Sequence, residues 1–295
     1  MKVLISIPAY NEEKTIAGVI RDIKKVMDKT SYQYKIMIVN DGSKDNTSKI
    51  AGEEGALVYD HPRNFGLAET FRTEIEKALQ LNFDVFVHTD ADGQYLAEDI
   101  PRLIKEVENG YDLVLGNRFT GGIEDMPLMK KLGNKAFSRV ISHITRFKVG
   151  DCQTGFRAFT REVAEKVPIT STFTYTQEQI IRAIKLKYKI KEIPTRFLKR
   201  GAKTSSRLMK NPFDYAVKAW INILRIYRDY EPLKFFGWIG FMFLAVGGGV
   251  GLWLIYLFIT TGAIRRVPTA ILSVMFVIMG IQILLFGFLA DMQKK

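Results

Sequence analysis

The chain has 295 residues, 47% of them hydrophobic, enough for one large domain with a smaller appendage. Lysine and arginine number 43 against 31 aspartates and glutamates, a formal charge of +12 that favours a polyanionic partner: nucleic acid, an anionic membrane surface or a phosphorylated substrate. The single cysteine, Cys152, excludes an intramolecular disulfide and a CxxC metal pair, and reads as a small buried residue.

The apolar run at the N-terminus is too short for a signal peptide and lacks a cleavage-site pattern, so Lys2–Ile7 reads as a first strand. Glu13–Lys29 follows with Ile16, Val19, Ile20, Ile23 and Val26 at helical spacing. Lys35–Asn40 is strand-like, Ser48–Gly55 a short helix and Leu57–Asp60 a third strand. Ala68–Leu81 is helical, Val85–Thr89 a fourth strand, Asp99–Asn109 helical and Asp112–Leu115 a fifth strand. Alternation of helices with near-continuous apolar strands implies a parallel sheet covered on both faces. Ligands bind such sheets at the carboxyl ends of the strands. The polar clusters Pro8–Glu12, Asp41–Ser43 and Asp90–Gln94 each fall just after a strand, which puts all three on one edge.

The last third differs. Residues 233–261 and 267–290 are almost uncharged, and about 20 apolar residues cross a bilayer. Only Gly262–Arg266 separates them, so they are expected to form a transmembrane hairpin with both termini on one side. The large basic domain and Lys294-Lys295 favour the cytoplasmic side, whereas Arg265 and Arg266 in the turn argue the other way. Gly247, Gly248, Gly249 and Gly251 suit either close helix approach or a kink. Ahead of the spans, Pro212–Tyr230 carries Phe213, Val217, Trp220, Ile221, Leu224 and Tyr227 on one helical face and Lys218, Arg225 and Arg228 elsewhere. That pattern fits a helix lying in the membrane interface or packed on the first domain. The expected organisation is a domain over residues 1–210, an interfacial helix over 211–231 and the hairpin over 232–295.

Asp90-Ala91-Asp92 places two carboxylates one residue apart at a strand end, and Gln94 adds an oxygen. Mg²⁺ or Mn²⁺ takes such oxygen ligands together with substrate phosphates. An isolated D-x-D also fits a solvated turn; its place after a strand is what points to metal. Tyr10 can stack on a base and Glu12 can accept hydrogen bonds from it, while Asn11 suits the cap of the following helix. Asp41 can bind ribose hydroxyls or a base edge, or simply build an Asp-Gly-Ser turn. His61, His88 and His143 show no metal-site spacing.

In order, "IPAYNEE", "IVNDGS" and "DADGQ" resemble the inverting glycosyltransferases of family 2, whose fold is the α/β GT-A type with a Rossmann-like, mostly parallel sheet. "GNRF" at Gly116–Phe119, "DCQTGFRAF" at Asp151–Phe159 and "FLKRGAKTSS" at Phe197–Ser206 resemble the dolichyl-phosphate mannose synthase branch. The resemblance spans roughly residues 1–210. It implies nucleotide-sugar contacts from Pro8, Tyr10, Glu12, Asp41, Asp90, Ala91 and Arg200, metal ligation by Asp90, Asp92 and Gln94, and a catalytic role for Asp92. Arg118 matches an arginine of the phosphate region, and Asn134 and Ser138 fall where the branch binds the lipid phosphate. Asparagine at 134 replaces the branch's arginine, and Lys130, Lys131 or Lys135 is a candidate for the missing charge. The loop after Arg200 also departs from the branch pattern, with its lysine earlier. Glu178 lies near the catalytic acid of hydroxyl-acceptor relatives. Gln179-Ile180-Ile181-Arg182 is followed by alanine where polymerising synthases have tryptophan, which suits a single transfer.

The activity implied is metal-dependent, inverting transfer of mannose or glucose from GDP-mannose or UDP-glucose to polyprenyl or dolichyl phosphate. The alternatives are a family member with a hydroxyl acceptor, using Glu178 as base, and a non-enzymatic nucleotide-binding module. Nucleic acid is not expected as a partner: the basic residues are dispersed and no recognition motif occurs.

Overall fold

In the computed structural model, which describes residues 1–124, 126–170, 175–199, 212–263 and 266–293, the first strand β1 covers Lys2–Ala9. Helix α1 (Ile16–Met27) starts three residues later than the periodicity suggests, because Thr15 N and Ile16 N both donate to Glu12 O in a preceding turn. Its buried face is Ile16, Ile20, Ile23 and Met27, the stripe expected of an amphipathic helix. Then follow β2 (Gln33–Asn40), α2 (Thr47–Glu53), β3 (Leu57–Asp60), α3 (Leu67–Gln80) and β4 (Val85–His88). Helix α4 (Ile100–Glu108) carries Pro101 in its first turn, where a missing N–H costs nothing. Strand β5 (Leu113–Asn117) leads into a short α5 (Arg118–Gly121) and the longer α6 (Leu128–Thr145). Strand β6 (Arg157–Thr160), α7 (Arg161–Lys166), α8 (Tyr175–Lys185) and β7 (Ile190–Pro194) complete the unit Met1–Lys210.

One seven-stranded sheet runs in the order β3-β2-β1-β4-β6-β5-β7. Strands β1 to β5 and β7 point the same way, and β6 alone is antiparallel, pairing with β4 on one side and β5 on the other. The sheet is thus mostly parallel, as expected. The reversal of β6 decides the geometry of the site. It brings the residues just before β6 to the same edge as the residues just after β1, β2, β4, β5 and β7. Val3, Ile5, Ile7, Val87, Val114 and Ala158 from the sheet pack with Ile20, Ile23, Leu103 and Ile104 from the helices in one apolar core.

The unit Asn211–Lys295 holds α9 (Pro212–Tyr230), α10 (Pro232–Thr261) and α11 (Val267–Met292). Helices α10 and α11 are 30 and 26 residues long and contain 18-residue stretches of mean hydropathy 2.1 and 2.5, long and apolar enough to cross a membrane. They pack antiparallel at small residues. A Cβ on Gly247 would lie 2.9 Å from Ser273 O and Val277 N, and Ser273 Oγ donates to Gly247 O at 2.7 Å. Gly247 therefore serves close approach, while Gly248 and Gly249 face open space and α10 continues unbroken through them. On α9, Val217, Trp220, Ile221 and Leu224 are exposed.

Candidate active site

Two loops at the carboxyl edge are stitched together. Asn11 N donates to Ser43 Oγ at 2.8 Å, Lys44 N to Asn11 Oδ1 at 2.7 Å and Glu12 N to Thr47 Oγ1 at 2.8 Å. Asn11, at φ 53°, therefore bridges the loops after β1 and β2 and does not cap α1, a correction to the capping role read from its sequence position. Pro8, Tyr10 and Glu12 are half-buried on this surface. Asp41 is buried beside it, and its carboxylate accepts from Phe65 N and Gly66 N at 2.9 Å each, with His61 Nδ1 at 2.8 Å. The turn needs Gly42: its φ is +70°, and a Cβ there would lie 2.4 Å from Arg63 C. Asp41 thus anchors the 61–66 loop at the edge where the nucleotide contacts were expected.

Asp90, Ala91 and Asp92 follow β4 directly. Burial and the neighbouring Asp92 carboxylate push the Asp90 carboxyl up to about 6. The shift shows that burial and a second negative charge both weigh against an ionised Asp90, a cost that a nearby cation would offset. Gln94 N donates to Asp92 Oδ1 at 3.1 Å, and Gln94 Nε2 donates to Leu198 O at 3.0 Å, so the amide nitrogen is already engaged and the amide oxygen is the atom left to serve a cation. Two carboxylates and an amide oxygen fit a hard divalent ion that completes its shell with substrate phosphates. Among the described residues no group of three or more His, Cys, Asp or Glu forms a self-sufficient cage. The 154–156 turn before β6 closes on Asp90 so tightly that a Cβ on Gly155 would lie 2.9 Å from Asp90 Oδ1.

Arg118 follows β5 and is 5% exposed. Its Nε donates to Asp151 Oδ2 at 2.6 Å and Nη2 to Asp151 Oδ1 at 2.8 Å, a bidentate pair, and its guanidinium stacks 5.2 Å from the Phe197 ring. Glu192, on β7, supports that pair: its carboxylate accepts from Asn117 Nδ2 at 3.0 Å, Gly150 N at 2.9 Å and Asp151 N at 3.0 Å. Sequence reasoning missed both acids. Asp151 heads the "DCQTGFRAF" segment and so had a signal; Glu192 is one polar residue in a short strand and had none.

A second buried network lies behind β4. Glu74 Oε2 accepts from Ser6 Oγ at 3.0 Å and lies 2.6 Å from His88 Nδ1, and Tyr175 OH is 2.8 Å from His88 Nε2. His88 is thus held on both ring nitrogens, two residues before Asp90. Arg157, fully buried, donates to Gln179 Oε1 at 2.9 Å and to Thr154 O, and so braces the turn that holds Gly155 against Asp90.

Three of the expected residues are engaged inside the domain. Glu178 is 4% exposed and accepts from Thr170 N at 3.1 Å, Thr170 Oγ1 at 2.7 Å and Arg182 Nε at 2.9 Å. Asn134 and Ser138 are buried on the inner side of α6; Ser138 Oγ accepts from Cys152 N at 3.1 Å, and Asn134 Nδ2 lies 3.9 Å from Met126 Sδ. Arg200 and the loop after it lie outside the described residues. A groove of about 700 Å³ is lined by Tyr32, Pro101, Lys105, Glu192 and Ile193 and by no residue of the D-x-D turn. Its lysines are paired with acids, Lys105 with Glu108 and Lys191 with Glu106.

A mostly parallel sheet with one reversed strand, and a D-x-D turn at its carboxyl edge, defines a GT-A nucleotide-sugar transferase. Residues 4–168 match the model of glycosyl transferase family 2, and the chain belongs to that family. It is a glycosyltransferase. A dolichyl-phosphate hexose transferase from Haloferax volcanii is 34% identical over 197 residues, 66% of this chain and 82% of that one. Glycosyltransferase AglJ from the same organism is 28% identical across 98% of this chain and 93% of its own length. Among solved structures, glucosyl-3-phosphoglycerate synthase from Mycobacterium tuberculosis shares the fold, with a TM-score of 0.59 at 18% identity over 76% of this chain and 77% of that one.

Proposed function

We propose that the protein transfers a hexose, mannose or glucose, from GDP-mannose or UDP-glucose to the phosphate of a polyprenol or dolichol. The observation that carries this reading is the D-x-D edge in a chain akin to a dolichyl-phosphate hexose transferase over 82% of that relative. A polyprenol monophosphomannose synthase from Mycolicibacterium smegmatis, 26% identical over 78% of its length, points the same way. A relative from Methanococcus voltae named for N-acetylglucosamine transfer keeps an N-acetylhexosamine donor as the next candidate.

The chemistry suits such an acceptor. A phosphomonoester has a second pKa of about 6 and is largely dianionic at neutral pH, so it needs no general base. One phosphate oxygen forms a bond to the anomeric carbon from the side opposite the nucleotide. The bond from that carbon to the diphosphate breaks, its electron pair stays on the leaving oxygen, and the anomeric centre inverts. The protein's task is positioning and neutralisation of charge. Tyr10 and Glu12 take the base, Asp41 shapes the surface beside them, and Asp90 and Ala91 approach the nucleotide. Asp90, Asp92 and Gln94 would hold Mg²⁺ or Mn²⁺, which when bound neutralises the leaving diphosphate. Arg118, oriented by Asp151, is the cation assigned to the phosphate region, and Arg200 clamps the nucleotide. Asn134 and Ser138 face inward, so contact with the acceptor phosphate through them needs a shift of α6; Lys131 and Lys135 on the same helix are exposed and can carry the charge that Asn134 lacks. Glu178, already accepting from Thr170 and Arg182, belongs to the attachment of α8 in this reading and not to proton transfer.

Helices α10 and α11 would span the membrane, α9 would lie in its interface with Trp220 toward lipid, and the catalytic unit would sit on the cytoplasmic side. The test incubates purified protein with polyprenyl phosphate, Mg²⁺ or Mn²⁺ and a panel of labelled nucleotide-sugars. Label in the organic phase that mild acid releases is the expected result and names the sugar. Absence of lipid label from every donor overturns the phosphate acceptor and turns attention to hydroxyl acceptors. Asp92→Ala should abolish turnover with the fold intact; full activity in that variant would remove the metal assignment.

A further inference from the structure

Helix α6 has a buried side and an exposed side, with half-buried residues such as Lys130 and Val140 between them. Asn134, Phe137, Ser138, Ile141 and Ile144 are buried. The opposite side should be polar if it met only water. It is not: Leu128 is 70% exposed, Leu132 54% and Met129 47%. No other helix of the Met1–Lys210 unit exposes three large apolar side chains among the described residues. Isolated apolar residues on a surface need no explanation, but three adjacent ones within two turns mark a contact site.

The charge of that side selects the partner. Lys131, Lys135 and Arg139 are exposed and lie on the same side as the leucines, and α6 contains no aspartate or glutamate over all 18 residues. Leucine and methionine at one end of a helix face, followed by a purely cationic continuation, suit acyl chains and anionic headgroups together.

We propose that the outer face of α6 docks on an anionic bilayer surface, with Leu128, Met129 and Leu132 entering the headgroup–acyl boundary and Lys131, Lys135 and Arg139 meeting lipid phosphates. The catalytic unit then has its own contact with the membrane, distinct from α9, α10 and α11. The proposal rests on the reading that the chain is membrane-bound; it does not depend on which group accepts the sugar.

The full chain, one copy per nanodisc, carries a nitroxide label on Leu132→Cys, with Lys49→Cys on exposed α2 as the aqueous reference. Cys152 stays unlabelled, because it is fully buried and burial pushes its thiol up to about 12. Relaxation by oxygen and by a water-soluble nickel complex reports depth. Docking predicts that the Leu132→Cys label collides with oxygen more than with nickel in discs containing anionic lipid, while Lys49→Cys shows the reverse. A label at 132 as nickel-accessible as the one at 49 overturns the proposal. So does a label shielded from both reagents, which would mean a protein contact.

A second arm reads turnover. The double variant Leu128→Ser/Leu132→Ser should raise KM for long-chain polyprenyl phosphate roughly tenfold, a change expected from losing apolar insertion, with KM for the nucleotide-sugar unchanged. An unchanged acceptor KM counts against docking. The depth measurement requires no turnover, so failure of the transferase reading and failure of the docking proposal remain distinguishable.

Discussion

Asp151 grips Arg118 with both carboxylate oxygens, at 2.6 and 2.8 Å, and both side chains are sealed from solvent. The two residues are 33 apart in sequence and belong to different motifs, one following β5 and one preceding β6. Breaking a buried pair leaves the other charge stranded, which costs about 3–5 kcal/mol. Asp151→Ala should therefore lower the melting temperature of the catalytic unit by on the order of 10 °C in detergent and abolish transfer. A melting temperature within a degree or two of the parent would show that the pair is not what holds Arg118.

Glu192 acts one step further out. It touches neither Arg118 nor the D-x-D turn, yet accepts from Asn117, Gly150 and Asp151 together. Glu192→Gln keeps the size but replaces one of the two accepting oxygens with an N–H₂ group that faces donors. The expected result is a loss of kcat of roughly 10- to 100-fold, the range for a supporting residue around a charged centre, with donor KM little changed. Equal losses in Glu192→Gln and Glu192→Ala, with no change in stability for either, would argue against a positioning role.

Gly155→Ala tests how tightly the turn before β6 confines Asp90. The added methyl would lie 2.9 Å from Asp90 Oδ1, and Arg157 below it limits how far the turn can retreat. Displacing one of two carboxylates should raise the Mg²⁺ or Mn²⁺ concentration for half-maximal activity by about tenfold or more. Titration of activity against metal, beside a melting curve showing a folded protein, checks this. An unchanged metal dependence would detach Asp90 from the metal.

Alkaline stability follows from Tyr95. Burial pushes its phenol up to about 12, and its ring packs 4.9 Å from Phe156 and 5.1 Å from Phe197. In the unfolded chain the phenol ionises near 10, so the folded state's advantage is complete below pH 10 and is lost as pH rises toward 12. The difference between ionisation near 10 in the unfolded chain and about 12 in the folded one corresponds to about 3 kcal/mol, lost by the top of that window. Melting temperature should fall steeply between pH 10 and 12, and Tyr95→Phe should flatten part of the fall. Parallel curves for parent and variant would assign the alkaline transition to other groups, with Tyr175, also raised by burial, the next to test.

Much of this protein is local information. The periodicities of Ile16–Met27 and Ile100–Glu108, the apolar strands through Leu113–Asn117 and the two long, nearly uncharged helices could be read directly, since each depends on the spacing of a few neighbouring side chains. The placing of polar clusters after β1, β2 and β4 also followed from strand order alone, because parallel strands bring their carboxyl ends to one edge. What residues 1–95 could not reveal is the reversal of β6. Antiparallel pairing depends on which strand fills the gap between β4 and β5, a long-range choice with no local signature. It carries Asp151, Gly155 and Arg157 to the D-x-D edge. The same holds inside single motifs. Asp41, Glu178 and Asn134 were placed by pattern, but whether each side chain faces a substrate or is committed to Gly66 N, Thr170 or the interior is set by packing. So is the exposure of Leu128 and Leu132, whose spacing alone is that of a core face. Sequence determined the elements and the class of chemistry; only the tertiary structure decided which acid holds Arg118 and which one supports that pair, because hydrogen bonds across 33 or 75 residues exist only once the sheet is assembled.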